Sequence, residues 1–504
     1  MTRKALRLLK WSAALVGVVA VTILAVRSWD AWRADPLEPW HTFVPHELRA
    51  DELARADWKA YLAAEDRAFA EVRDNVTQRL PEGERVPANR YFEGSPVYPP
   101  KLSTDWNRSY VLEPAGTPRG AVVLLHGLTD SPYSLRHIAR RYRDDGFVAI
   151  APRLTGHGTV PAGLTDVDWE DWAEATRLAV REARRRVGPD APLHLVGFSN
   201  GGALALKYAL DALEDRSLSR PGRLVLISPM IGVTEMARFA GFLGWPAVFP
   251  AFAKASWLGI VPEFNPFKYN SFPINGGRQS SLLTRALQEQ ITRLARENRL
   301  GDLPPAITFQ SVVDFTVSTR AIITAFYQQL PNNGSELVLF DVNRSAKFGT
   351  LLRPTTETML ARLLPVPPRN FRSVVITNAD DKSDEVVERV TDAGATTGTV
   401  RPLGLVYPVE VYSLSHVAIP FPIEDSLYGM RPDLSDNYGV QLGAMALRGE
   451  RGTLIVTLDS LIRMSSNPFY PYMIGRIEEG IRAPRATSTS TSTATPAPAA
   501  APAK

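Results

Sequence analysis

The sequence predicts an α/β fold, a mostly parallel sheet with helices on both faces, and three observations predict it. First, Ala121–Leu125, Phe147–Ile150, Leu193–Val196 and Leu224–Ile227 are short runs that are apolar nearly throughout. Strands without polar alternation are buried on both faces, as parallel strands between crossover helices are. Second, segments of helical character separate these runs. Third, Gly197–Gly202 reads G-F-S-N-G-G between Leu193–Val196 and the helix-like Ala203–Leu210. A serine between glycines at a strand-to-helix turn holds its hydroxyl exposed on a strained backbone. A Cβ at Gly197 or Gly201 would clash with the neighbouring strand and helix.

The elements follow in order. Trp11–Val26 carries no charge, follows Arg3, Lys4, Arg7 and Lys10, and precedes a stretch, Arg27–Glu47, with two Arg against four acids. This bias keeps the N-terminus in the cytoplasm and sends the rest across. At ~1.5 Å per residue the run covers about 24 Å of a roughly 30 Å hydrocarbon core. Trp11 and Trp29 at the interfaces, with Lys10 and Arg27 snorkelling, make up the difference. Residues 1–30 are therefore expected to be a single-pass membrane anchor, with the remainder extracytoplasmic. The rival is a cleavable signal peptide, but no clean small-x-small site follows the apolar run.

Residues 31–110 read as a helical extension: Leu53, Trp58, Leu62, Phe69, Val72 and Val76 recur at spacings near three and four within Glu47–Leu80. It is expected to pack without catalytic duty. Residues 111–231 open the core, with a helix at Ser131–Asp145 and another at Trp169–Val187, acidic at its start and basic at Arg184–Arg186. Residues 232–300 read as a cap crowded with rings: Phe239, Phe242, Trp245, Phe249, Phe252, Trp257, Phe264, Phe267, Tyr269 and Phe272. Most are expected to bind cap to core, and a minority to line an acyl-binding pocket. The core resumes over 301–482 with a strand at Ile307–Val313, a helix at Thr319–Gln329 and strands at Leu337–Phe340 and Val409–Tyr412. An insertion at 344–402 contains a strand candidate, Ser373–Thr377, and has no mechanistic reading. Residues 483–504 alternate Ser, Thr, Pro and Ala, too polar and too simple to bury a core, and are expected to be a disordered tail.

Composition excludes several functions. With no cysteine, disulfides, thiolate metal sites and cysteine nucleophiles are ruled out. A net charge of +4 over 504 residues is small, and much of the excess lies at the N-terminus, so nothing points to nucleic acid.

A serine hydroxyl needs a base to take its proton, and the base needs an acid to fix its tautomer. In this architecture the order along the chain is serine, acid, histidine. Only His416 follows Ser199; His41, His46, His126, His137, His157 and His194 all precede it. Three carboxylates compete as the acid. Asp314 follows the strand Ile307–Val313, where a side chain points into the crevice beyond the sheet. Asp341 and Asp380 also follow strand candidates. Asp314 is preferred because strand, acid and helix resume directly after the cap. The oxyanion is expected to meet the backbone N–H groups of Asn200 and Leu128. His126 is expected to shape the loop carrying Leu128, and Gly156–Gly158 to form a turn lining the crevice.

The motifs H-G-L-T-D-S-P-Y-S (His126–Ser134), P-R-L-T-G-H-G (Pro152–Gly158), G-F-S-N-G-G and D-F-T-V (Asp314–Val317) resemble those of the alpha/beta-hydrolase superfamily. The likeness is closest to its monoacylglycerol lipase and carboxylesterase-like branch. It covers roughly Tyr110–Gln329 and resumes at His416. It implies Ser199 as nucleophile, Asp314 as acid, His416 as base, and Leu128 and Asn200 at the oxyanion hole. The long separation of Asp314 from His416, with the insertion inside it, departs from the pattern. The expected activity is hydrolysis of carboxylic esters with an apolar acyl group, without metal or organic cofactor. Acyl transfer, peptidase and thioesterase chemistry on the same triad remain open, as does a catalytically silent, membrane-tethered binding module.

Overall fold

The computed structural model describes residues 36–232, 250–345, 359–444 and 465–483, together with Arg463 and part of residues 10–29. The apolar runs become β1 (Tyr110–Leu112), β2 (Gly120–Leu125), β3 (Phe147–Ala151), β4 (Leu193–Phe198) and β5 (Arg223–Ile227). Within residues 232–300, the segment expected as a cap, β6 (Trp257–Gly259) and β7 (Phe272–Pro273) form a separate short ladder. The main sheet continues with β8 (Ala306–Ser311), β9 (Glu336–Phe340), β10 (Arg372–Asn378), β11 (Glu385–Thr391) and β12 (Thr399–Val406). Its spatial order is β1-β3-β2-β4-β5-β8-β9-β10-β11-β12. From β3 across to β10 the strands run parallel; β1 pairs antiparallel with β3 at one edge, and at the other β11 pairs antiparallel with both β10 and β12.

The helices that build the core and the extension are α1 (Ala50–Arg55), α2 (Trp58–Asn75), α3 (Arg136–Asp144), α4 (Trp169–Val187), α5 (Asn200–Glu214), α6 (Ile274–Arg296) and α7 (Tyr470–Arg482), beside shorter ones such as Pro39–Thr42 and Met359–Leu363. Alternate residues of one strand feed two core layers. Ala121, Val123 and Leu125 of β2 pack with Trp172 of α4 and Leu204 of α5. Val122 and Leu124 pack with Ile138 and Tyr142 of α3 and with Met473 and Ile477 of α7. Each such large side chain contributes about 1.5–3 kcal/mol by leaving water, so both faces of the sheet need their cover.

Several elements differ from expectation. The segment expected as one helix at Ser131–Asp145 opens with a tight 3₁₀ turn, Pro132–Leu135, before α3. Thr319–Gln329 is one α turn, a wider π turn over Ile322–Phe326 and a 3₁₀ turn. Ile322, Ile323, Phe326 and Tyr327 are all fully buried there, more than one stripe of a regular helix presents. Val409–Tyr412 is not a strand: the Asn343 side chain donates to the carbonyls of Pro408 and Val411, and its N–H donates to Tyr412, in place of a ladder. The insertion 344–402 supplies β10 and β11 and starts β12, carrying the sheet past β9. Residues 346–358 of it lie outside the described residues.

In the extension, α2 is capped by the Asp57 carboxylate, which accepts from the Ala60 N–H at 2.7 Å. Its inner face reaches the core at Arg153, just after β3. That guanidinium is buried between Glu47 at 2.8 Å and Glu65 at 3.2 Å, and the Arg153 carbonyl accepts from the Tyr61 hydroxyl. Trp11–Val26 lies partly outside the described residues; those of it that are described are helical. Among the described residues no helix is long and apolar enough to cross a membrane. The tail from residue 484 onward lies outside the described residues.

Candidate active site

The site is built where β4 turns into α5. Ser199 stands at that turn with φ 55° and ψ −115°, a conformation a side chain rarely adopts. The glycines around it make the turn possible. A Cβ on Gly197 would lie 2.2 Å from the Gly201 carbonyl oxygen, and one on Gly201 would lie 2.0 Å from that of Leu125. Gly202 is equally constrained, since its Cβ would sit 2.8 Å from Pro229; the sequence reading did not single it out. The turn is pinned by the Ser199 N–H donating to Ile227 and the Met230 N–H donating to Ser199, both at 2.9 Å.

Asp314 lies three residues beyond β8 and His416 in a 3₁₀ turn, His416–Ala418, far along the chain. The His416 Nδ1 and Asp314 Oδ2 are 2.8 Å apart, and the Asp314 carboxylate is 0% exposed. Asp314 Oδ1 accepts the N–H groups of Thr316 and Val317 at 2.8 and 2.9 Å, and Oδ2 also accepts from the Gln310 amide at 3.1 Å. Burial pushes the Asp314 carboxyl up. The facing His416 ring and these donors outweigh it and hold the group below its ordinary value. The His416 ring lies 5.3 Å from the ring of Phe198, the residue before the serine.

The competing carboxylates are engaged elsewhere. Asp341 at the end of β9 accepts from the Val342 N–H and the Thr377 hydroxyl and faces Arg344. Asp380 caps its own loop by accepting from the Lys382 N–H.

Leu128 and Asn200 both lie near the serine: Asn200 follows it, and a Cβ on Gly127 would come within 3.2 Å of the Ser199 Cβ. Asn200 is the first residue of α5, where an N–H has no acceptor one turn earlier. Its side-chain oxygen accepts from Ser280 of α6 at 3.0 Å. The Leu128 N–H belongs to the same peptide unit as the Gly127 carbonyl, and His126 orients that unit. The Leu154 N–H donates to His126 Nε2 at 3.0 Å, which leaves the proton on Nδ1, 2.9 Å from the Gly127 oxygen. With its carbonyl held against His126, the peptide turns its N–H the opposite way. Burial pushes His126 down to about 3, so the ring stays neutral. The Gly156–Gly158 turn does not line the cavity, against expectation; it packs behind this loop, with the buried His157 ring 5.0 Å from His126 and 5.7 Å from Trp172.

Ser199, His416, Gly127 and Leu128 open on one cavity of about 390 Å³. Phe264, Tyr269 and Phe272 of the cap line it, whereas Phe267 stacks on Tyr133 at 4.3 Å and Trp257 meets His41. Phe239, Phe242, Trp245 and Phe249 lie outside the described residues. The sequence reading missed Lys268 and Arg463, which also line the cavity. Arg463 ties the two halves of the site together: its guanidinium donates to Thr316 beside Asp314, and its carbonyl accepts from Ser415 beside His416, at 2.7 and 2.8 Å. No motif surrounds it in sequence. Among the described residues no cluster of side chains suits a metal ion.

Residues 116–328 match the family model described as serine aminopeptidase, S33. A thermostable monoacylglycerol lipase of Bacillus sp. (strain H-257) is 32% identical over 88 residues, 18% of this chain and 34% of that protein, so the match spans about a third of the lipase. A carboxylesterase of Bacillus subtilis (strain 168) is 24% identical over 221 residues, 44% of this chain and 82% of that one. A solved soluble variant of monoglyceride lipase from Saccharomyces cerevisiae is similar at 13% identity and a TM-score of 0.37, over 46% of this chain and 81% of its own. The sheet order, the glycine-bound serine turn and the sequence matches agree: the chain has an alpha/beta-hydrolase fold, and over residues 116–328 it is similar to the monoacylglycerol lipase and carboxylesterase-like branch of that superfamily.

Proposed function

We propose that the chain is a serine esterase that cleaves carboxylic esters with an apolar acyl group, anchored to a membrane by its N-terminal segment. Ser199 attacks the ester carbonyl while His416 Nε2 takes the hydroxyl proton, and Asp314 stabilises the imidazolium through Nδ1. The N–H groups of Leu128 and Asn200 hold the tetrahedral oxyanion. His416 then protonates the leaving alcohol, and water repeats the sequence on the acyl-enzyme. No metal or organic cofactor takes part in these steps.

The observation that carries this reading is the 2.8 Å contact of a buried Asp314 with His416, on a cavity that His416 shares with the strained Ser199. The aromatic lining from the cap supports an apolar acyl group, as do the names of the lipase and carboxylesterase relatives. Purified protein is expected to turn over a short-chain 4-nitrophenyl ester, with an initial burst where deacylation is slow. The family model's description favours a second reading, a peptidase on the same groups. Cleavage of an aminoacyl 4-nitroanilide at a higher kcat/KM than the ester would establish that reading instead.

The location rests on the uncharged Trp11–Val26 and the basic residues before it. The full-length protein is expected to stay in the membrane fraction through high-salt and alkaline washes, with its catalytic residues on the extracytoplasmic side. A soluble mature form beginning near residue 30 would instead identify a cleaved signal.

A further inference from the structure

Lys268 is the least expected residue in the cavity. It lies, half-buried, in the loop between β6 and β7, between the buried Phe267 and Tyr269, and its side chain reaches the loop that carries Thr129. Its Nζ donates to the Thr129 hydroxyl at 3.1 Å, its one hydrogen-bond partner among the described residues. An ammonium carries three donors, and taking it even partly out of water is costly unless it is paired. The Arg463 guanidinium lines the same cavity. The opposing charge is Asp130, itself buried, with Oδ2 lacking a partner. Burial pushes the Asp130 carboxyl up and the Lys268 ammonium down, and each favours the charged form of the other. Lys268, Arg463 and the Asp130 carboxylate thus line the space beside Ser199, and among the described residues two of the three Lys268 ammonium donors have no partner.

Resting on the esterase reading above, we propose that this cavity selects esters that also carry an anionic group, with Lys268 as the residue that receives the anion and Arg463 assisting it. An apolar acyl chain against Phe264 and Phe272 is compatible with an anion at one end of the molecule, because the two kinds of surface lie on the same cavity. The anion supplies the charge-assisted hydrogen bonds that Lys268 lacks.

Two matched substrate pairs test this. One places the charge on the acyl side: the 4-nitrophenyl half-ester of glutaric acid against 4-nitrophenyl valerate. The other places it on the leaving group: the butyrate ester of 3-hydroxybenzoate against phenyl butyrate. The wild type is expected to favour the anionic member of at least one pair by roughly tenfold or more in kcat/KM, the scale of one charge-assisted hydrogen bond. Lys268→Met is expected to cut that ratio about tenfold, and Lys268→Arg to retain most of it. Should Lys268→Met fail to fold, Arg463→Gln must lower the ratio, and free glutarate must slow fluorophosphonate labelling of the wild type more than 1,5-pentanediol does. A wild-type preference for the neutral member of both pairs, or a ratio unchanged in Lys268→Met, overturns the proposal while leaving the esterase reading intact. Turnover of none of the four esters removes both.

Discussion

Asp314→Asn is expected to leave a folded protein whose turnover falls by about 10⁴, the loss seen when an acid of this kind is amidated in a triad protease. The loop dictates the direction of the effect. Thr316 and Val317 both donate N–H groups to Asp314 Oδ1, so an asparagine must keep its oxygen there. Its NH₂ then takes the place of Oδ2 and faces His416, which is left with a donor where it needs an acceptor. Gln310 also donates to Oδ2 and would meet a second donor. Asp341→Asn is expected to change the rate by about tenfold or less, as for a residue whose partners are structural. Steady-state kinetics with a thermal melt for each variant check both; a crippled Asp341→Asn beside an active Asp314→Asn would reverse the assignment. The same contact has a pH signature. Because the Asp314 pKa is depressed in the folded state, its stabilisation is complete above the unfolded carboxylate value and is lost as pH falls through the lower folded one.

Ser199→Ala is expected to abolish labelling by a fluorophosphonate and to lower kcat by about 10⁶, the scale of nucleophile removal in a serine protease. The substitution keeps the Cβ and the backbone demands of the turn, so the fold should survive unchanged. Labelling that persists in Ser199→Ala, mapped by peptide mass to another serine, would remove Ser199 from the nucleophile role. Both variants act on groups that work as one unit, so the double variant should be scarcely worse than Ser199→Ala alone.

The central sheet was legible because its chemistry is local. Strands buried on both faces must be apolar throughout, and a strained serine turn must be flanked by glycine, so Leu193–Gly202 states its structure within ten residues. His416 stood out by chain order, as the one histidine after Ser199, and the fold brings it to Asp314. The strand expected before it was misread because Val409–Tyr412 is apolar enough for a ladder, yet its carbonyls are taken by Asn343 from elsewhere in the chain. Lys268 and Arg463 were illegible for a related reason. A lysine among aromatics reads as a solvated interruption until the fold turns it toward Thr129, and Arg463 meets Thr316 across 147 positions of sequence.

Arg153 bears on what counts as a module here. It lies within the stretch that matches the family model, but both carboxylates around its guanidinium, Glu47 and Glu65, come from before residue 116. Cut at the family boundary, the chain would lose both carboxylates and the Phe69 ring that cover this guanidinium, and would leave the cation exposed and unpaired. That cation sits one residue before Leu154, whose N–H fixes the ring of His126 and through it the peptide that ends in Leu128. The unit that can be shuffled, grafted or inherited intact is therefore larger than the unit that can be recognised. A chimera that borrows the recognised stretch alone would borrow Ser199 without the contacts that support the loop ending in Leu128.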